Sequence, residues 1–389
     1  MKKWLPLNPL IKGAGAMFEQ FRKGLRTIIV KHTGFIKSRA DNFIDIVFGM
    51  IELGSVKHKK LALGIQGLTV LSNVRTVERF FANNTIHSED LGFVIYDLLR
   101  LHQHGKLSLI LDRTIWEYGT TCHNIFVITV VLGKTAIPIT IDMLNKKGSS
   151  NFAERKKLME EAISLIGINN IEVVLADREF IGDEWLYYLH TKIMPYIIRI
   201  KNNMYVEFNG TRIQVSALMD SVSIHERREV KVKIGDLDLR LAATRSSDGE
   251  LVIVIAPRYF RGGLLKKYRV RWLIELFFRS IKSKGFNLEE THMTDPNKVK
   301  LLMAIIAVAT ALVVKTGIFR NQIKKIEVKK HGRAAYSIFT YGLDFFRALL
   351  KNKIIAPIST SIIASVTQPW SKMINLLFTF ILGHKYVGY

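Results

Sequence analysis

Among the 389 residues there is a single cysteine, Cys122, so a disulfide framework and any cysteine-rich zinc or iron–sulfur site are excluded. A reducing cytoplasm fits that usage, and Cys122 itself reads as a small core residue. No unbroken apolar stretch follows Met1-Lys2-Lys3-Trp4, because Pro6, Pro9 and Lys12 interrupt it, which argues against a secretory signal. The longest apolar run, residues 301–314 with Thr310 inside it, is 14 residues long. That is short of the roughly 18 needed to cross a bilayer, and it reads as a buried helix. Repeats and low-complexity tracts are absent. Acid is scarce as well: 33 Asp and Glu stand against 57 Lys and Arg, a net charge of +24. With 48% hydrophobic and 23% charged residues the proportions are globular, so the excess is basic charge on a folded protein. Such a field points to a polyanion, nucleic acid ahead of an anionic membrane surface. The length allows two to four domains at roughly 100–200 residues each.

The spacing of apolar residues predicts helices over residues 16 to 102. Phe18, Phe21, Leu25, Ile28 and Ile29 recur at helical intervals, as do Phe43, Ile44, Val47 and Ile51. Two shorter helices, 56–65 and 73–83, flank Gly67 and Ser72, with Ser72 as the candidate N-cap of the second. Val74, Val77 and Phe81 would face inward there, and Arg75, Thr76 and Arg79 outward, either as a recognition helix or as a plain helix with solvated arginines. From Lys106 the period changes. Segments 107–112, 124–132 and 135–141 read as three strands with a tight Gly133-Lys134 turn. Helix 151–166, strand 172–177, helix 183–192 and strand 196–200 follow, which makes a mixed α/β sheet. Residues 203–257 read as a β-rich insertion, with hairpin turns at Asn209-Gly210 and Gly235-Asp236. Helices return at 264–283 and 296–315, and the tail is mostly helical with Pro357 and Pro369 as breaks.

Asp112 ends one apolar run and Asp177 another. Ligands of open α/β sheets gather at the carboxyl ends of strands, so neighbouring strands would let the two share a site; taken singly, either is more simply a turn starter. The helix from Leu264 adds weight. At about 100° per residue, Tyr268, Arg271, Trp272, Glu275, Arg279 and Lys282 share one face, and Val270, Leu273, Ile274, Phe277 and Ile281 the other. Between Arg258 and Lys284 there are nine basic residues and one acid, Glu275. A lone carboxylate in a basic stripe suggests a metal-binding acid flanked by phosphate-binding cations.

Tyr268-x2-Arg271-x3-Glu275-x6-Lys282 resembles the Y-R-E-K signature of the family-four bacterial insertion-sequence transposases, which are DDE transposases of RNase H-like fold. Leu111-Asp112-Arg113-Thr114 resembles that family's first aspartate strand and Ala176-Asp177-Arg178-Glu179-Phe180 its second, with the β-rich insertion before the glutamate as in the family. The likeness spans about residues 106–315 and is weaker at the N-terminus and over 331–347. It implies an α/β fold: an RNase H-like mixed sheet interrupted by a β-rich insertion, with helical N-terminal and C-terminal regions. The implied division is a helical DNA-binding region (1–105), the core in two parts (106–202 and 258–318) around the insertion (203–257), and a C-terminal helical region (319–389).

The resemblance further implies that Asp112, Asp177 and Glu275 are catalytic and metal-binding. Two Mg²⁺ ions, replaceable by Mn²⁺, would be the cofactors. Tyr268, Arg271 and Lys282 would contact phosphates of transposon-end DNA, with Arg279, Arg178, Arg75 and Arg79 as further DNA-binding candidates. Its partners would be double-stranded DNA, as transposon ends and target, and a second copy in a homodimeric synaptic complex, with no membrane. Its location would be the bacterial cytoplasm, on the nucleoid. The implied reaction is Mg²⁺-dependent hydrolysis at the element's ends and joining of 3′-hydroxyls to target DNA by cut and paste. The rival readings are a structure-specific nuclease on the same fold and a catalytically silent DNA-binding descendant. Relatives that form hairpins stack a flipped base on an insertion-domain aromatic; residues 203–257 hold no Trp, so Tyr205, Phe208, Tyr259 and Phe260 are the substitutes. Asp142 and Glu117 are the alternatives to Asp112, and Glu179 reads as a flanking or solvated acid. Gly133-Lys134-Thr135 lacks the earlier glycine of a phosphate loop, since position 128 is Ile128. His102 and His104 have no metal partner at usable spacing, and Trp116 and Trp185 read as core or rim aromatics.

Overall fold

The computed structural model describes residues 9–65, 69–82, 88–355 and 367–383. In chain order, helices α1 (Pro9–Thr33), α2 (Lys37–Leu53), α3 (His58–Leu61), α4 (Val70–Ala82) and α5 (Ser88–Leu99) come first. Strands β1 (Leu107–Tyr118), β2 (Thr121–Leu132) and β3 (Thr135–Leu144) precede α6 (Phe152–Ile166), β4 (Ile171–Ala176), α7 (Asp183–Thr191) and β5 (Tyr196–Arg199). Next are β6 (Tyr205–Phe208), β7 (Thr211–Gln214), α8 (Val215–Leu218), β8 (Arg227–Ile234), β9 (Leu237–Arg245) and β10 (Leu251–Pro257). Last come α9 (Leu264–Tyr268), α10 (Trp272–Arg279), α11 (Pro296–Ile323), α12 (Ile338–Ile355) and α13 (Thr367–Leu382). These elements fall into two compact units, Met1–Leu101 with Arg279–Tyr389, and His102–Phe278.

The helical unit is built around α11, which is buried from Val299 to Gly317 on nearly every side. A helix apolar all round has to lie inside a bundle or a membrane. By length and composition α11 could cross a membrane, and 94% of its apolar window is buried within the fold. Helix α12 crosses it at two glycines: a Cβ on Gly342 would stand 2.0 Å from the Val313 carbonyl oxygen, and one on Gly317 2.1 Å from that of Ile338. Only hydrogen at both positions lets the backbones touch. Phe21 of α1 stacks on Phe378 of α13 at 4.2 Å, with Phe48 of α2 and Phe346 of α12 around them, so both chain ends share one core. Lys315 is buried among them; its Nζ donates to the carbonyls of Leu98 and Ile381, at the C-terminal ends of α5 and α13. Those carbonyls have no partner within their own helices, and the Lys315 Nζ supplies one.

In the second unit one sheet of ten strands, among the described residues, runs β3-β2-β1-β4-β5-β10-β9-β8-β6-β7. β1, β2 and β3 form an antiparallel meander, while β4 lies parallel to β1 and β5 parallel to β4. β4 is buried and apolar throughout except at Glu172, the pattern of a strand enclosed between parallel neighbours. β10 pairs antiparallel with β5, and β9 and β8 continue outward. Asn209 and Gly210, at φ +51° and +77°, form the tight β6–β7 turn that their sequence predicts. Asn151 caps α6 in a capping box with Glu154. α6 packs on β2, β3 and α7, and α9 on β5, β9 and β10.

Several expectations change. β1 extends to Tyr118, so Asp112 lies within the strand, because β2 keeps pairing with it beyond the end of β4. Ser72 lies inside α4; the Thr69 hydroxyl accepts its amide at 3.1 Å and does the capping. The 264–283 helix is interrupted by a 3-10 turn at Arg269–Arg271 and continues as a π turn at Ser280–Lys284. Residues 203–257 extend the sheet instead of standing apart from it, because β10 returns to β5. The chain from Arg279 onward belongs with the N-terminal helices. Pro369 falls in the first turn of α13, where its missing N–H costs no helical bond. Residues 1–8, Gly67, Asn83 and Pro357 lie outside the described residues.

Burial, with Arg100 adding to it, pushes the Lys315 amine down from 10.5 to about 7. Between those values the unfolded chain binds a proton that the folded chain does not, so this residue makes stability rise as pH increases through that window. Lys315→Met should abolish the rise. From about pH 7.5 to about pH 9.5, urea unfolding should show the wild type gaining about 2 kcal/mol more than the variant. Parallel pH profiles would refute the assignment.

Candidate active site

The pairing of β1 with β4 aligns Leu111 with Ala176, so Asp112 and Asp177 are the next residues on adjacent parallel strands. Each carboxylate accepts the amide that follows it: Asp112 Oδ1 from Arg113 N at 2.8 Å, Asp177 Oδ1 from Arg178 N at 2.7 Å. Glu275 sits in the first turn of α10, and Arg271 closes the 3-10 turn before it. The Arg271 guanidinium donates through Nη1 to Asp112 Oδ2 at 3.0 Å and through Nη2 to Glu275 Oε1. A planar fork with several fixed donors can satisfy two carboxylates at once, which a lysine cannot.

Charge is concentrated here. Burial pushes the Asp112 carboxyl up to about 6; Arg271 and the Arg113 amide oppose the shift, while Glu179 and Asp177 add to it. Burial works against the Arg271 charge too, and Tyr268, Asp112, Asp177 and Glu275 more than offset it. Tyr268 is only 9% exposed, and burial raises its phenol well above the ordinary value. Placing Tyr268 on an open polar face is therefore corrected: it lies in α9, which packs against β5, β9 and β10, so the face that carries it is covered by the sheet. The α9 end of this segment is docked by an ion pair, Lys267 to Glu172 at 2.6 Å, and Glu172 also accepts from Ser108 of β1 at 2.8 Å.

Of three supporting residues, Asn124 and Arg155 were not singled out from the sequence. Glu179, read there as a flanking or solvated acid, pairs with Arg113 Nε at 2.7 Å. Asn124 Oδ1 accepts from Arg113 Nη1 at 3.5 Å, and its amide donates to the carbonyls of Lys146 and Gly148. Arg155 of α6 is buried and donates to the carbonyls of Ser150, Glu179 and Ile181 at 2.7, 2.9 and 3.2 Å, and to Ser150 Oγ. It thereby braces the 3-10 turn Arg178–Phe180 that begins at Asp177. A signal existed for Arg155: it lies at helical spacing with buried Met159, Ala162 and Ile166, where a charged residue is out of place unless it is bonded.

Arg178 is exposed beside Asp177. Arg279 is also exposed, and Lys282 pairs with Glu289 at 3.5 Å; both belong to the helical unit. Arg75 and Arg79 are exposed on α4, above buried Val77, Phe80 and Phe81. Of the alternative acids, Asp142 pairs with Lys157 at 2.7 Å and Glu117 with Lys147 at 3.2 Å, both on the meander. Trp116 and Trp185 are buried. Among the aromatic substitutes Phe260 is buried, Tyr259 donates to the Met194 carbonyl, and Tyr205 is exposed with Arg212 over its ring at 4.9 Å.

The carboxylate oxygens of Asp112, Asp177 and Glu275 are hard donors of the kind a Mg²⁺-type cation takes, and Asp177 adds to the upward push on the Asp112 carboxyl that such a charge would relieve. Among the described residues no three acids, histidines or cysteines stand as a ready metal cage. In this arrangement the positive charge shared by Asp112 and Glu275 is the Arg271 guanidinium.

The chain matches the Transposase DDE domain over residues 103–312, more than half its length, and it belongs to that family. No curated protein matches it. Among solved structures it is similar to the piggyBac transposase in a synaptic complex with hairpin DNA, at 10% identity and a TM-score of 0.45, over 94% of this chain and 84% of that one.

Arg155→Leu should keep the apolar packing but leave three carbonyls, one buried and two half-buried, without their donor, lowering stability by about 3 kcal/mol. Urea unfolding followed by fluorescence of the buried Trp185 measures it. A loss below about 0.5 kcal/mol would show that the turn does not depend on Arg155.

Proposed function

We propose that this transposase is an insertion-sequence enzyme of family four with an RNase H-like core. In that reading it hydrolyses phosphodiester bonds at the ends of its element and joins the freed 3′-hydroxyls to target DNA by cut and paste. The observation that carries the reading is the convergence of Asp112 and Glu275 on Arg271, with Asp177 beside Asp112 in register. The antiparallel β3-β2-β1 meander followed by parallel β4 and β5 supports the RNase H-like assignment. Two Mg²⁺ ions, or Mn²⁺ in their place, held by Asp112, Asp177 and Glu275 would activate the attacking oxygen and stabilise the leaving one.

The chain's own residues do the rest. Arg271 balances the charge of two acids and holds both at one point. Arg178, exposed beside Asp177, would hold the DNA backbone, and Arg279 and Lys282 are the further basic contacts the resemblance implies; the buried Tyr268 would not reach a phosphate. Arg75 and Arg79 on α4 would read the element's ends, and two copies would pair the ends in a synaptic complex on the bacterial nucleoid.

Asp112→Asn, Asp177→Asn and Glu275→Gln should each lower end cleavage in Mg²⁺ by on the order of 1,000-fold while gel-shift binding of the ends stays within about twofold. Asp142→Asn and Glu117→Gln should cleave normally. Retained cleavage in any one of the three would remove that residue from the triad. Cleavage without joined product would instead favour the nuclease reading.

Arg271→Lys offers a separate check on the shared guanidinium. An ammonium is one point charge and cannot fork between two carboxylates, so the variant should lose activity nearly as fully as Arg271→Ala, on the order of 100-fold. Near-normal cleavage by Arg271→Lys would mean that the residue contributes charge alone.

A further inference from the structure

Residues 324–337, between α11 and α12, fold as a small β-hairpin. Val328 bridges Ala334 in antiparallel sense, Lys329 N donates to Arg333 O at 2.9 Å and Ala335 N to Glu327 O at 2.8 Å. At the tip, Gly332 N donates to Lys329 O at 2.8 Å, and Gly332 itself adopts φ +78°, the left-handed residue with which such turns close. The base is fixed to the helices. Tyr341 donates its hydroxyl to Lys324 O at 3.0 Å, Asn321 Oδ1 accepts from Ile326 N at 2.8 Å, and the Arg320 guanidinium lies 3.8 Å from the Tyr341 ring centre. The two helices that carry the hairpin touch backbone to backbone at Gly317 and Gly342.

This hairpin buries almost nothing: residues 327–334 are all exposed. Across residues 324–333 it carries Lys324, Lys325, Lys329, Lys330 and Arg333 against one acid, Glu327. Among the described residues none of these five cations forms an ion pair, whereas Arg22, Arg26, Arg113, Arg199, Arg240 and Arg271 all do. Like charges held together on a hydrogen-bonded frame repel one another, and neither burial nor pairing compensates for it here. A polyanion does compensate, by exchanging its condensed counterions for the lysines and arginine. A two-stranded ribbon is also of a width that duplex DNA admits in its major groove.

We propose that the hairpin of residues 324–337 is a contact for the phosphate backbone of DNA, with Lys329, Lys330 and Arg333 as its principal cations; this rests on the transposase reading, which makes DNA the polyanion at hand. Because phosphates carry no sequence information, the contact adds affinity and salt dependence without choosing the site.

The test uses the full chain and a duplex of about 30 base pairs, followed by fluorescence anisotropy over a series of KCl concentrations. The variant Lys329→Gln/Lys330→Gln/Arg333→Gln is compared with the wild type, with the charge-keeping Lys329→Arg/Lys330→Arg, and with a triple of exposed lysines elsewhere, Lys134→Gln/Lys201→Gln/Lys231→Gln. The hairpin triple should bind about tenfold or more weakly at moderate salt, with the slope of log affinity against log salt shallower by about 2 to 3. The arginine variant should match the wild type, and the distant triple should change the slope by less than about 1. Urea midpoints should not move, since the substituted side chains are exposed.

An unchanged slope in the hairpin triple, or an equal loss in the distant triple, overturns the proposal. So does a loss confined to binding of anionic phospholipid vesicles with DNA binding intact, which would assign the hairpin to a membrane surface. A wild type that binds no duplex at all would fail differently, by removing the transposase reading on which the hairpin's role rests.

Discussion

The parallel, in-register pairing of β1 and β4 is the constraint from which the active site follows. It sets Asp112 and Asp177 side by side where β4 stops and β1 continues. Burial above all, with Asp177 and Glu179 nearby, raises the cost of ionising Asp112 unless a cation is near. Arg271 meets that demand, and it arrives on a segment distant in sequence that Lys267 and Glu172 dock onto the sheet. Electrostatics and tertiary packing are therefore one problem here: the helix that brings Glu275 also brings the charge that makes Glu275 and Asp112 compatible.

The long excursion between β5 and α9 leaves that geometry undisturbed because its last strand, β10, returns to the edge of β5. α9 begins soon after, against β5, β9 and β10, so the start of the Arg271 and Glu275 segment is set by the sheet and not by the length of chain in between. The excursion also covers what would otherwise be an open parallel edge at β5, and edges with unpaired amides are liable to pair with other chains.

The helical unit solves a different problem. Its central helix has no polar face to give to solvent, so neighbours must enclose it, and the chain's two ends supply them together. Gly317 and Gly342 are what let α12 lie directly on α11. Lys315 is the exception inside that core, held by two helix C-terminal carbonyls that would otherwise lack donors.

Much of this was legible in the residues themselves. The strands of the meander, the Asn209-Gly210 turn and the extent of helix α6 follow from β-branched apolar runs, turn chemistry and apolar spacing, all of which are local. Asp112, Asp177, Arg271 and Glu275 could be singled out from strand ends, a basic stripe and the spacing of four residues. What the sequence could not decide depends on contacts between distant segments. The adjacency of Asp112 and Asp177 is a choice of strand partner, which alternation does not encode. The burial of Tyr268 comes from the packing of α9 on β5, β9 and β10, which the periodicity of the helix itself does not report. The joining of residues 203–257 to the core sheet comes from the pairing of β10 with β5, which no local pattern announces. Nor does composition tell that Arg155 lies beneath the Asp177 turn, since a buried charge is tolerable only where carbonyls from other segments meet it, and only the folded chain brings them there.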